Sequence, residues 1–515
     1  LPNDLRPATR VARGATYLFL QGVLSTAVSV VYFMVLAHLF SGEEMGVYNI
    51  LKMIVALVGA LGTLALPSAS TKYIAQYLAE DRRERASAVV TRMLQVSVMA
   101  GVVSFALILL LSGMMSKTLQ RELKVFWIIA VIAFLTVLFP YVGSFLQGLQ
   151  RIRELAVVQL AYPLAHLMTI LLLYLGWGLL GVVYGWLTAL LISCSTGLLL
   201  TARSLEVPEE PHPIGPLLRF SYPLYISGIV GLVSSWVDQL FLLRYVDLRF
   251  FGEYSIAVQA AAVPGLVSTS ISTALFPQLT ELHTRQGTDS LRQAFRLASR
   301  VVLVGFPTAL LLAVCARPVI ELFAGEGHLI AAEPLPILCL ALLPGVVGIA
   351  ISPALLTLER TKTVLALSVM PIVVNMAACY VALAPLQMKG LDSLRGVAWA
   401  RVIASFVSFG SGLFALRRSL RVTLDLGVLW KTSAASGLMV AAIALLQRLT
   451  PQGLSSPYVL SGELALYAAV GGAVYFLSLI ALRTIKKHDV ELLRNYLPVK
   501  LRGMVAWLDR LVVAE

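Results

Sequence analysis

Apolar runs of about 20 residues or more, separated by short polar segments, recur along the whole chain. They fall near 14–40, 46–70, 87–112, 124–148, 155–175, 178–202, 217–244, 254–279, 294–316, 335–358, 362–385, 395–416, 428–447 and 459–482. About 20 apolar residues is the length a helix needs to cross a bilayer, where every backbone polar group must be satisfied within the protein. The pattern predicts an all-α polytopic membrane protein with about 14 transmembrane helices. Pro67, Pro140, Pro163, Pro264, Pro277, Pro344 and Pro371 interrupt these runs. Each removes a backbone bond and predicts either a packing kink or a gate.

Composition agrees with lipid as the solvent. Of 515 residues 58% are hydrophobic and 13% charged, with a mean hydropathy of +0.85; soluble domains carry about 25% charged residues. The net charge of +13 raises nucleic acid as a partner. The basic residues sit in short loops without interleaved aromatics, so no nucleic-acid partner is expected. With a cytoplasmic N-terminus, 29 of the 40 lysines and arginines fall on the cytoplasmic side. This asymmetry predicts a multi-pass plasma-membrane protein with both termini cytoplasmic. The first apolar run is too long for a cleavable signal peptide. Cys194, Cys315, Cys339 and Cys379 each lie inside an apolar run, so neither a disulfide framework nor a metal site is expected. No cofactor is called for. In the tail, Leu501, Met504, Val505, Leu508 and Val512 share one helical face near basic residues, which predicts an amphipathic helix on the inner leaflet or docked on the bundle.

The chain also repeats itself. Gly46 and Tyr48 correspond to Gly252 and Tyr254, Pro140 to Pro344, Pro163 to Pro371, and Gly197 with Arg203–Ser204 to Gly412 with Arg418–Ser419. The offsets drift only between 204 and 215. Each repeat holds six spans, an even number that preserves orientation, so the expected architecture is two six-helix lobes around a central cavity. The domains expected are an N-lobe over 1–205, a C-lobe over 206–420, two extra spans over 421–485 and the tail helix over 486–515.

These residues resemble the polysaccharide-transport branch of the multidrug/oligosaccharidyl-lipid/polysaccharide exporter superfamily. The resemblance rests on the two G-x-Y motifs, on LGTLALPSASTKYIAQY, on SYPLYISGIVGLVSSWVDQLFLL and on PIVVNMAACYVALAPLQMKGLDSLRGVAWA. It implies alternating access of two lobes and a lipid-linked oligosaccharide as cargo, its headgroup crossing while its lipid tail stays in the bilayer. A single bundle of this kind needs no second copy.

Polar residues inside spans are costly and mark candidate sites. Lys52 is a point charge suited to a phosphate, with Tyr48 and Asn49 one turn or less away; the alternative is snorkelling to the outer interface. Gln21 and Gln259 are further cavity candidates, and Trp236 is an aromatic that could stack on a sugar. Arg13 and Lys72 lie near the inner mouth, where positive-inside topology also puts basic residues. Asp238, in the seventh run, sits deeper than the loop carboxylates. The related lipid II flippases carry a sodium site that the resemblance maps onto Asp238 and Asn375, which leaves Na+ or H+ coupling as an expectation. One turn after Asn375, however, stands Cys379, a poor ligand for a hard cation. Arg401 is the alternative partner for Asp238, if their helices adjoin.

The function expected is therefore a flippase for a lipid-linked oligosaccharide. An ion-coupled drug exporter of the same superfamily is the alternative; it typically has twelve spans and an embedded acid in span 1 or 2, and span 1 here has none. A membrane glycosyltransferase would need an acidic constellation on a loop, and the loop acids, Glu43–Glu44 among them, have no such company.

Overall fold

The computed structural model describes residues 5–206, 211–265, 302–384, 388–420, 425–449 and 457–484, with isolated positions between 266 and 301. Among these residues there is no β-strand. Twelve helices are long and apolar enough to span a membrane, thirteen if one bent pair counts as a span. The expected span over 254–279 is helical as far as 265 and then passes outside the described residues, as do Pro277 and the expected tail helix.

The helices are α1 (Leu5–Leu39), α2 (Gly42–Thr63), α3 (Leu66–Ala79), α4 (Arg83–Leu119), α5 (Leu123–Gly148), α6 (Ile152–His166), α7 (Met168–Tyr174), α8 (Gly178–Ala202) and α9 (Gly215–Tyr245). They continue as α10 (248–265), α11 (Val302–Val314), α12 (Ala316–Ala324), α13 (Leu335–Val347), α14 (Ile351–Thr357), α15 (Thr361–Leu383), α16 (Leu391–Leu420), α17 (Leu426–Leu449) and α18 (Pro457–Ala481). Two compact units divide at Trp236–Val237, inside α9. The sequence landmarks divide the repeats earlier, at 205/206.

The chain is embedded in a membrane, and α4 shows why. Its buried stripe is rich in small residues, with Ser97, Gly101, Ser104 and Ser112 beside Ile108, while Met99, Val103 and Leu110 on the other face are 67–83% exposed. Large apolar side chains on the outer face and small residues along much of the inner one suit lipid on one side and a close helix neighbour on the other. At Gly101 a Cβ would come 2.7 Å from the Phe134 ring of α5.

In the first unit α5 packs against α2, α3, α4 and α8, and α8 also against α6. Gly197 of α8 marks a close approach: a side chain there would overlap Val142 of α5. The second unit repeats the theme. Its α16 packs on α13 and α15, and a Cβ on Gly412 would lie 3.1 Å from Ile351 of α14. Pro140 lies inside α5 and Pro344 inside α13; Pro163 lies inside α6 and Pro371 inside α15.

Four expected spans are broken, among them the run 155–175, which divides at Leu167 between α6 and α7. The run 46–70 ends as a helix at Thr63, because Leu64 and Ala65 both adopt left-handed conformations (φ 50° and 51°), and α3 starts afresh with Pro67 in its first turn. The run 335–358 breaks between α13 and α14, just after Pro344. The run 294–316 bends by 78° between α11 and α12 and continues to Ala324. Prolines explain what these breaks need. A proline leaves the carbonyl four residues before it without its helical N–H donor, and in lipid such a group must find another partner. Pro67 frees Thr63, whose oxygen accepts from the Tyr141 hydroxyl at 2.9 Å. Pro307 frees Leu303, which accepts from Tyr475 of α18 at 2.6 Å. Pro318 frees Val314, which accepts from the Gln447 amide of α17 at 3.1 Å. The two helices beyond the duplication thus complete the hydrogen bonding of the bent segment, and they pack on it through Cys315, Met439, Ile443, Tyr467 and Leu479.

Candidate functional site

The site in the first unit is built from α2 outward. Ser41 and Glu44 form a reciprocal cap: the Ser41 Oγ accepts from the Glu44 amide (3.3 Å) and the Glu44 carboxylate accepts from the Ser41 amide (2.9 Å). Glu43 pairs with Arg121 at 2.9 Å. The helix therefore starts at Gly42, four residues before the apolar run. At 1.5 Å per residue, Lys52 lies roughly 15 Å along the axis from that start, about half the thickness of a hydrocarbon core.

Beside Lys52 is an aromatic cluster drawn from four helices and centred on His166. Its Nζ sits 5.5 Å from the Tyr48 ring centroid. His166, at the end of α6, is near enough to feel the lysine charge. The His166 ring stacks on Tyr32 of α1 (centroids 4.3 Å apart, 26° between planes) and lies 5.6 Å from Tyr162 and 6.5 Å from Trp186 of α8. Among the described residues no carboxylate pairs with Lys52, and the His166 Nε2 is buried without a hydrogen-bond partner. This is an uncompensated cation beside flat faces, chemistry that fits a phosphate carrying a sugar. Asn49 is buried next to Lys52. The other first-unit candidates do not all converge there. Gln21 spends its amide on Ser25 in its own helix (2.9 Å), and Trp236 is half-buried on α9. Lys72 lies exposed on α3 against different rings. Arg13 is in α1, its side chain outside the described residues.

The second unit answers with a closed constellation. Asp238 is fully buried. Its Oδ2 accepts from Arg401 of α16 (3.1 Å) and from the Tyr254 hydroxyl of α10 (2.8 Å), while its Oδ1 accepts from the Gln239 amide (2.9 Å). The Cys379 thiol donates to the Asn375 Oδ1 at 3.4 Å. Arg401 is thus the partner of Asp238, and its guanidinium already supplies the positive charge that a free cation would bring. Gln259 is half-buried on α10. Tyr48 and Tyr254, equivalent in the duplication, both stand beside the charged group of their unit, one open and one neutralised. Sequence reasoning did not single out His166, Tyr162 or Trp186; a histidine within an apolar run, three residues after a proline, was the available signal.

The family model for "Polysaccharide biosynthesis protein" matches residues 11–283, just over half of the chain. The chain is 20% identical over 272 residues to a protein named "Probable low-salt glycan biosynthesis flippase Agl15" from Haloferax volcanii, covering 53% of this chain and 56% of that one. It is 29% identical over 149 residues to the lipopolysaccharide biosynthesis protein WzxC of Escherichia coli K12, covering 28% and 30%. The matches thus span about half or less of these curated relatives. Among solved structures, the lipid II flippase MurJ in an inward closed conformation superposes with a TM-score of 0.69 at 16% identity, over 91% of this chain and 98% of that one. An inward-facing multidrug MATE transporter superposes with a TM-score of 0.63 at 14% identity, over 77% and 95%. The fold is that of the multidrug/oligosaccharidyl-lipid/polysaccharide superfamily, and by its matched sequence the chain belongs to the polysaccharide biosynthesis protein family.

Proposed function

We propose that the protein is a flippase that moves a lipid-linked oligosaccharide from the cytoplasmic to the outer leaflet of the plasma membrane by alternating access, its termini cytoplasmic. It acts as a transporter, with no covalent chemistry of its own. The observation that carries this reading is Lys52 at mid-helix depth, without an ion-pair partner among the described residues, beside the Tyr48 ring and close to His166, which in turn packs on Tyr32, Tyr162 and Trp186. A cation there offsets the desolvation of a phosphate or diphosphate in the bilayer interior, and aromatic faces fit the apolar faces of sugar rings. The drug-exporter alternative is less well supported, because a cationic drug calls for a free embedded acid, whereas in the second unit buried Asp238 is neutralised by Arg401 and buried Glu253 is bonded to His328.

Coupling to a sodium or proton gradient belongs to the same proposal. A hard cation requires free oxygen ligands, so it reaches Asp238 only when Arg401 withdraws. The test is headgroup translocation in liposomes loaded with a fluorescent polyprenyl-diphosphate oligosaccharide, with and without each gradient. Wild-type protein is expected to transfer the headgroup, Lys52→Ala to slow it by about tenfold or more, the loss of one charge-assisted contact, and Lys52→Arg to keep most of it. Unchanged transfer by Lys52→Ala, or gradient-driven efflux of a cationic dye without lipid transfer, overturns the reading.

A further inference from the structure

A second basic and aromatic cluster lies in the first unit, on the segment that follows α8. The chain there folds back over α3. The Tyr77 hydroxyl donates to the His212 Nε2 (3.0 Å), and the His212 Nδ1–H donates to the Pro213 carbonyl (2.8 Å). This holds the start of α9 against α3, where Leu217 joins the core of Leu66, Ala69, Ile74 and Tyr141. The result is an open cleft of about 470 Å³ lined by Tyr73, Gly215, Pro216, Arg219 and Phe220. Lys72 stands at its edge, its ammonium 4.2 Å from the Phe220 ring centroid and 5.3 Å from that of Tyr73. Tyr73 and Phe220 meet edge to face at 6.4 Å.

Two features separate this cleft from an ordinary basic loop. Among the described residues neither Lys72 nor Arg219 forms an ion pair, whereas Arg82 and Arg151 in the neighbouring loops are paired with Glu80 and Glu154. The two cations also stand beside packed aromatic walls, so an anion bound there would bring its attached group against rings. An exposed lysine normally sweeps many rotamers; stacking on two faces narrows them, and less entropy is then lost on binding. Arg219 adds a planar donor fork suited to phosphate oxygens.

We propose that this cleft is a docking site for a diphosphate ester at the cytoplasmic end of the first unit, distinct from Lys52. Lys72 and Arg219 hold the diphosphate, and Tyr73 and Phe220 contact the group it carries. The assignment to a lipid carrier rests on the flippase reading; the binding of the diphosphate does not.

The test is equilibrium binding of two probes, farnesyl diphosphate and inorganic pyrophosphate, to the full chain in nanodiscs of neutral lipid. Wild type is compared with Lys72→Ala/Arg219→Ala, with Phe220→Leu, and with Lys117→Ala/Lys124→Ala as a control for net charge. The proposal expects Lys72→Ala/Arg219→Ala to weaken farnesyl diphosphate binding at least tenfold, Phe220→Leu to weaken it several-fold, and the control pair to leave it unchanged. Farnesyl diphosphate binding tighter than pyrophosphate assigns the site to a lipid carrier; equal binding keeps the diphosphate site and assigns it to a soluble ester. Loss of binding in the cleft variants, together with unimpaired translocation by Lys52→Ala, upholds the cleft while removing the Lys52 reading. Equal binding by the cleft variants and the control pair overturns the proposal.

Discussion

Asp238 and Arg401 show what a buried charge requires. The carboxylate is fully buried while the guanidinium keeps 31% of its side-chain surface exposed, so the arginine is the member able to leave. Arg401→Ala strands an uncompensated charge and is expected to cost about 3 kcal/mol. The doubly neutral Asp238→Asn/Arg401→Gln is expected to recover most of that loss, as read from unfolding midpoints in detergent. His212 makes a second residue-scale case. Burial first, and then the Arg85 charge, lower its pKa below the ordinary 6.5, against the opposing bond to Pro213. The neutral ring is the form that accepts from Tyr77, and protonating Nε2 removes that acceptor. Because the folded value is the lower one, the unfolded segment binds more protons in the window below about pH 6.5. The contribution of the latch is therefore complete above that pH and falls as pH drops through the window. Limited proteolysis beside His212 is expected to quicken between pH 6.5 and 5, and a His212→Gln variant to lose that dependence.

At the scale of elements, prolines and their displaced carbonyls decide which helices need each other. Tyr475→Phe removes one hydroxyl and leaves the Leu303 oxygen without its donor, an expected loss of about 1–3 kcal/mol. In a Pro307→Ala background residue 307 regains an N–H that can serve Leu303, so the same Tyr475→Phe is expected to be nearly neutral. Thermal unfolding of the four proteins of that cycle measures the coupling. Hydropathy made most of the helices legible because lipid imposes one length and one composition on every span. It could not show that Leu64 and Ala65 turn left-handed or that the chain bends by 78° beyond Val314. Those breaks depend on where a displaced carbonyl finds a donor, and the donors lie 78, 172 and 133 residues away.

For the whole molecule, the duplicated landmarks were readable in the sequence because a close helix crossing tolerates only glycine and a kink favours proline. Gly197 is such a crossing and Gly412 a looser one, and Gly197→Leu is expected to destabilise the first unit by about 1–3 kcal/mol through overpacking on Val142. The candidate site was only half readable. Lys52 and Tyr48 share one helix and could be paired by their spacing, whereas His166, Tyr162 and Trp186 reach them from segments more than 100 residues on, and no periodicity records that meeting. The proline-bent segment also carries a consequence for how the chain is made. Leu303 is synthesised 172 residues before Tyr475, and Val314 is made 133 before Gln447. At roughly 5–20 residues per second the ribosome needs about 10–30 s to supply the first of these partners. Throughout that interval the newborn segment holds two carbonyls that lipid cannot satisfy, and the insertion machinery must shelter it beside water or protein until α18 emerges.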